Sequence, residues 1–147
     1  MTARRTKRKP RLVVGGGRAP ARQVYDADFG GYIEVRAFPP LKPGDISLNS
    51  DVDALPDVAG DITLAPFADG ALREVYFEKV SHEVLTAAGS AAVAEAARVL
   101  EAGGRLVIET GSGVPLEQVK KALQGAGFQS LRVTRRGFVR ITGRLGG

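Results

Sequence analysis

A short apolar run within residues 11–14 (RLVV) stops at three consecutive glycines, Gly15, Gly16 and Gly17, and limits how this chain can fold. A short run with no polar alternation reads as a strand buried on both faces, the usual environment of a parallel sheet. Parallel strands need long crossover connections, which are usually helices laid on the sheet. The glycines read in two ways. They are a plain strand-terminating turn, or a loop whose missing Cβ lets the backbone approach a ligand. At 147 residues the chain is expected to form one domain around one core.

The remainder alternates strand and helix signals. Residues 32–36 (YIEVR) and 45–49 (DISLN) alternate apolar and polar side chains and predict short strands. Residues 18–31 have no clean helical period and close at Gly30-Gly31. Residues 38–44 are a Pro-rich loop, and residues 50–60 are Asp- and Pro-rich turn material. Asp61-Ile62 predicts a minimal strand before the loop over 66–70. Residues 71–79 are β-branched and aromatic, which predicts another strand. Residues 90–101 place Val93, Ala96, Ala97 and Leu100 on one helical face. Ser90 is the expected N-cap and Gly103-Gly104 the stop. A strand over 105–110 follows, then a helix from Pro115 to about Gln124. Two last strands, 128–134 and 138–142, are joined by Arg135-Arg136-Gly137 as a hairpin. The expected class is α/β, with a Rossmann-like, doubly wound, mostly parallel sheet, helices on both faces and a C-terminal antiparallel hairpin. Residues 1–10 are expected to be a basic disordered leader and 11–147 the single domain.

Composition removes several chemistries. There is no Cys, so disulfides, thiolate metal sites and thiol catalysis are excluded, and the single His, His82, cannot build a multi-His metal centre. No apolar run approaches the roughly 18 residues of a membrane span. No apolar run of the roughly 7–15 residues that a signal peptide carries follows the basic first eleven residues, so no signal peptide is expected. The expected location is cytoplasmic, with a secreted effector domain acting in a target cell's cytoplasm as the alternative.

Charge is distributed unevenly. Residues 1–11 hold six basic side chains and no acid, and residues 128–147 hold five and no acid. The middle carries the other ten basic residues against all 16 acidic ones. The net +5 is therefore a property of the two ends. Basic ends suit an acidic partner, nucleic acid or acidic protein, although a solvated leader explains the first tract equally well.

These elements, in this order, resemble the class I S-adenosylmethionine-dependent methyltransferases. The telling stretch lies between residues 55 and 104. Pro66, Phe67 and Asp69 match a family pattern of the form L-P-F-x-D, and Glu95, Arg98, Val99, Leu100, Gly103 and Gly104 match E-x-x-R-V-L-x-x-G-G. Residues 11–17 stand where the first strand and its glycine loop belong. The resemblance spans about residues 11–142. It implies S-adenosylmethionine as cofactor, bound outside the C-terminal ends of the strands where strand order reverses. It implies Gly15, Gly16 and Gly17 against the cofactor backbone. It places Asn49 where the family has an acid for the ribose hydroxyls, with Asp51 as a nearby substitute. Asp61 falls at the position that pairs with the adenine amino group, and Ile62 would pack on the ring; read alone, Asp61 also suits a turn cap. The acid that commonly precedes the glycines is replaced by Val13 and Val14.

The transferring methyl would lie near the end of the fourth strand, at Glu78 and Lys79. Glu78 or His82 could act as a base for a protonated acceptor. Read without the resemblance, Glu78 and Lys79 are a solvated pair and His82 an ordinary polar residue. No G-x-x-x-x-G-K-[ST], G-x-G-x-x-G or [ND]-P-P-Y sequence occurs, which disfavours a P-loop nucleotidase, a dinucleotide dehydrogenase and the exocyclic-amine methylation signature. The short layout also resembles methyltransferase-like C-terminal domains of Rhs-type polymorphic toxins. That resemblance implies an alternative role: a degenerate effector or toxin domain, with a cognate immunity protein, that acts on or binds a macromolecular target without methyl transfer.

Overall fold

In the computed structural model the described residues are 8–35, 41–80, 82–86 and 90–146; the side chains of Arg22, Val35, His82 and Glu83 are outside the description. Their elements are β1 (Arg11–Val14), β2 (Arg22–Asp26), β3 (Gly31–Val35), β4 (Ile46–Asn49), β5 (Val58–Ala59), β6 (Leu72–Phe77), α1 (His82–Thr86), α2 (Ala91–Val99), β7 (Leu100–Thr110), α3 (Leu116–Gly125), β8 (Phe128–Arg136) and β9 (Phe138–Leu145). Seven strands form one sheet in the order β5-β4-β1-β6-β7-β9-β8. The first five run parallel, and β9 is antiparallel to both β7 and β8. This is a Rossmann-like, mostly parallel sheet closed by a C-terminal hairpin. β1 is central because its apolar run can be buried on both sides.

Strand alternation separates the two faces. Val14 aligns with Leu48 and Phe77, Phe77 with Ile108, and Ile108 with Ile141. This row is buried and packs with Leu85, Val93, Ala96, Val119 and Leu123 from the helices. The next row is Ser47, Val13, Tyr76, Val107 and Thr142, pointing to the opposite face. The sequence leads one to expect helices on both faces, but the three described α-helices share the first. The segments that would cross the second face lack an apolar helical stripe. Residues 22–35 instead form the separate hairpin β2–β3, whose Tyr25 and Tyr32 meet edge-on at 5.5 Å. Residues 52–54 form only a 3₁₀ turn.

Two local outcomes depart from the sequence expectations. Asp61-Ile62 is not a strand; the edge strand is β5, and Ile62–Leu64 form a 3₁₀ turn. Asp61 is the reason, since its carboxylate caps that turn by accepting from the Thr63 N–H at 2.9 Å. The helix begun by Ser90, whose hydroxyl accepts from Val93 N–H, ends at Val99 rather than at the glycines. Leu100 is already extended and pairs with Leu72, and Gly103 turns the strand with φ +76°.

The Glu95/Arg98 pair explains its own motif. Arg98 donates to the carbonyls of Ala65 and Phe67 at 3.0 and 2.9 Å, and to Asp69 at 2.8 Å. Glu95 accepts from the Ala65 N–H at 2.8 Å and holds Arg98 at 2.5 Å. The two side chains of one helix turn thus fasten the loop over 65–69.

Candidate functional site

The site expected from the sequence lies at the C-terminal ends of β1, β4 and β6. Gly15 leaves β1 with φ +88°, and its N–H donates to the Leu48 carbonyl at 2.8 Å. On the other side the Glu78 N–H donates to the Val14 carbonyl at 3.0 Å. The chain runs from β1 to β4 on one side and later returns to β6 on the other. The glycine turn therefore occupies the point where strand order reverses, the ligand position of open α/β sheets.

Asn49 ends β4 and reaches back over the glycines. Its Nδ2 donates to the carbonyl oxygens of Gly15 at 3.2 Å and Gly16 at 3.5 Å, and its Oδ1 accepts from Asp51 N–H at 2.9 Å. Asp51 caps the next turn through Asp53 N–H at 3.0 Å. Gly17 lies tight against that turn: a Cβ there would stand 2.1 Å from the Ala54 carbonyl oxygen. The N–H groups of Arg18 and Ala19 both donate to the same oxygen at 3.0 Å. Glycine is needed here because the protein's own backbone, residues 51–55, leans on the loop.

The other expected site residues spread outward. Glu78 is half-buried directly after β6, with its carbonyl oxygen 3.1 Å from where a Gly15 Cβ would be. Burial pushes its carboxyl up; Lys79 opposes this, Glu109 adds to it, and the net direction is upward. Lys79 is exposed in a left-handed conformation, φ +47°. Asp61 is exposed at the turn after β5, with Oδ1 taken by Thr63 N–H and Oγ1–H. Ile62 is only 7% exposed and belongs to the core. His82 opens α1, and its side chain lies outside the described ones. The structure thus brings the glycines, Asn49, Asp51 and Glu78 together, with Asp61 on a neighbouring strand end.

A second polar constellation occupies the face free of the described α-helices, and sequence reasoning missed it. Tyr76 donates its hydroxyl to Glu109, and Arg140 donates to the same carboxylate oxygen at 2.6 Å. Burial first, then the hydrogen bond to Glu109 and its charge, push the Tyr76 hydroxyl up to about 12. Arg11 is paired with Asp45 at 2.6 Å and Glu74 at 3.6 Å, and Arg105 with Glu74 at 2.5 Å. Above Val13, Tyr76 and Val107 lies a cavity of about 360 Å³. A second of about 380 Å³ adjoins it, sharing Arg105 and Thr142. A third, about 710 Å³, sits at the opposite strand ends near Lys9 and Arg73. None of the three is lined by the glycine loop. The available signal was the alternation itself: polar side chains at 74, 76, 105, 109, 140, 142 and 144 fall on one face.

The donor set can be tested against the cofactor that the resemblance implies. Asp61 fits, because its Oδ2 is left for a ligand donor. Asp51 fits in the same way, with Oδ2 beyond its cap. Asn49 retains one oxygen lone pair, while its amide hydrogens are committed to the loop carbonyls. Among the described residues no cluster of three or more His, Cys, Asp or Glu could hold a metal ion. No helix of the described residues is long and apolar enough to cross a membrane.

A glycine turn at the switch point of a seven-stranded sheet with one reversed strand defines a class I methyltransferase-like fold. Solved structures agree. The CurJ carbon methyltransferase superposes with a TM-score of 0.63 at 15% identity, over 95% of this chain and 49% of that one. A phosphoethanolamine N-methyltransferase 2 of Haemonchus contortus, in complex with S-adenosyl-L-methionine, gives 0.64 at 10% identity, over 95% and 49%. The antibiotic-resistance methyltransferase Kmr gives 0.59 at 12% identity, over 95% and 87%. The chain spans about half the length of the first two. No family model matches the sequence, and no curated protein matches it either. At these identities the likeness is one of fold.

Proposed function

We propose that the protein is a small S-adenosylmethionine-dependent methyltransferase whose cofactor lies across the C-terminal ends of β1, β4 and β5. The observation that carries this reading is the glycine turn at the strand-order switch point, with Asn49, Asp51 and Asp61 around it. Asp51 and Asn49 would hold the ribose hydroxyls and Asp61 the adenine amino group. When bound, the cofactor supplies an electrophilic methyl on its sulfonium. Glu78 does the proton work: its burial makes the carboxylate more basic, so it can take a proton from a protonated acceptor. Lys79 beside it is placed to orient an anionic substrate, and His82 is the second candidate base. The substrate class is a nucleic acid or an acidic protein.

A second reading is a methyltransferase-fold effector domain that binds a macromolecular target without methyl transfer, as in a polymorphic toxin with its immunity protein. It is favoured by the Asn49 amide being tied to Gly15 and Gly16 and by Gly17 packing on Ala54. Isothermal titration calorimetry separates the two. Saturable binding of S-adenosylmethionine and S-adenosylhomocysteine, lost in a folded Asp61→Ala variant, supports the first. No heat at millimolar ligand overturns it. Growth arrest on bacterial expression that survives Asp61→Ala supports the second, and harmless expression removes it.

A further inference from the structure

We propose that the sheet face free of the described α-helices binds single-stranded nucleic acid, with phosphodiesters on Arg105, Arg132 and Arg144 and a base on Phe138. This site is separate from the glycine edge and stands whether or not that edge transfers methyl groups.

The first argument is electrostatic. Arg105 on β7 stands directly opposite Arg144 on β9. Like charges facing each other across strands are unfavourable, and Glu74 compensates Arg105 alone of this pair. The acids of this face are already engaged: Glu74 with Arg11 and Arg105, Glu109 with Tyr76 and Arg140. Arg132 faces the same side, opposite Thr142, and neither Arg132 nor Arg144 meets a carboxylate among the described residues. Among the described residues Arg144 donates to the Gly103 carbonyl, at 3.1 Å.

The second argument is shape. The cavities of about 360 and 380 Å³ lie side by side, both lined by Arg105 and Thr142. Together they cross β1, β6, β7, β9 and β8. Four strand spacings of about 4.8 Å make a trough of about 19 Å, longer than one phosphate group needs. The third argument is aromatic. Phe138 is 41% exposed on the same face, with the Arg140 guanidinium 5.9 Å from its ring centre. A sheet face that offers an exposed ring beside arginines suits unpaired bases, which can stack while their phosphates meet the cations. A duplex hides its bases, and an acidic peptide has no use for the ring.

The test is fluorescence anisotropy with labelled twelve-residue oligouridylate and oligothymidylate, a duplex of equal length, and a polyglutamate peptide. Three phosphate contacts predict a slope of about −2 in log affinity against log salt for single strands. The paired exchange Arg132→Glu with Arg144→Glu is expected to lower affinity at least about tenfold and flatten that slope. Phe138→Ala is expected to lower affinity about tenfold with the slope unchanged, because stacking releases no counterions. Lys120→Glu with Lys121→Glu on α3, beyond the core, makes the same charge change and should leave affinity unaltered. Circular dichroism checks that each variant folds, and the preference of the unmodified protein for single strand over duplex reads the proposal without any variant. It is overturned if neither single strand binds at low salt, if the duplex or polyglutamate binds as tightly, if the control pair loses as much as the trough pair, or if Phe138→Ala changes nothing.

Discussion

Replacing Asn49 by Asp swaps one atom and inverts one interaction. In the native protein Nδ2 donates to Gly15 and Gly16 carbonyl oxygens at 3.2 and 3.5 Å. A carboxylate oxygen in that place donates nothing and faces both oxygens. The loss is two hydrogen bonds, the one at 3.5 Å a weak one, plus the penalty of a partly buried carbonyl left unpaired, for a total of about 2–3 kcal/mol. For a chain of this size each kcal/mol moves the melting temperature by about 2–4 °C, so a fall of about 5–10 °C is expected at neutral pH. Below about pH 4 the new carboxyl regains a proton, donates again, and the deficit narrows. Asn49→Ala should lose similar stability with no such recovery. S-adenosylmethionine should respond in the opposite sense, because a released carboxylate can accept both ribose hydroxyls. A charge-assisted bond of about 1.5–3 kcal/mol predicts affinity tighter by about tenfold or more. Thermal unfolding by circular dichroism and titration calorimetry read the two effects. An Asn49→Asp protein that melts with the unmodified one would refute the clamp, and unchanged affinity would refute the ribose assignment.

Other perturbations follow from the same geometry. Gly17→Ala puts a methyl 2.1 Å from the Ala54 carbonyl oxygen, and displacing that backbone should cost about 1–3 kcal/mol in urea unfolding. Glu78 has a raised folded-state pKa, so its ionisation opposes folding as pH rises. Glu78→Gln should therefore be more stable than the parent at pH 7, with the gap closing below about pH 4; under the methyltransferase reading it should also lose turnover with cofactor binding kept. Burial pushes the Asp45 carboxyl up, but hydrogen bonds from Arg11 and the Lys42 N–H outweigh it and hold the group below its usual range. Its contribution is present above about pH 4 and lost as pH falls through the lowered value, so Asp45→Asn should flatten the acid limb of a stability-against-pH curve.

What could be read from the sequence was what local pattern decides. β1 has the bounds of its apolar run, and α3 starts right after Pro115, because burial and a helix-start residue act within a few positions. Hairpin β2–β3 was half visible: residues 32–36 carry an alternating signal, but residues 22–26 are mostly polar, and the Tyr25–Tyr32 contact exists only once the strands pair. At Asp61 one side-chain hydrogen bond chose a 3₁₀ turn over a strand. The glycines, Asn49 and Glu78 were found as residues, yet the Asn49 clamp depends on how β4 aligns with β1. The charged sheet face needed register most of all. Glu74 meets Arg11 and Arg105, and Arg105 meets Arg144, across strands that lie far apart in the chain.

The glycine edge as a cofactor site is tested most directly by a titration of the isotopically labelled protein with S-adenosylmethionine, followed by two-dimensional amide NMR. The account predicts saturable shifts concentrated at Gly15, Gly16, Gly17, Asn49 and Asp61, with the trough residues Arg132 and Arg144 unmoved. Amides that stay still at millimolar cofactor, or that shift only on β7, β9 and β8, would contradict it.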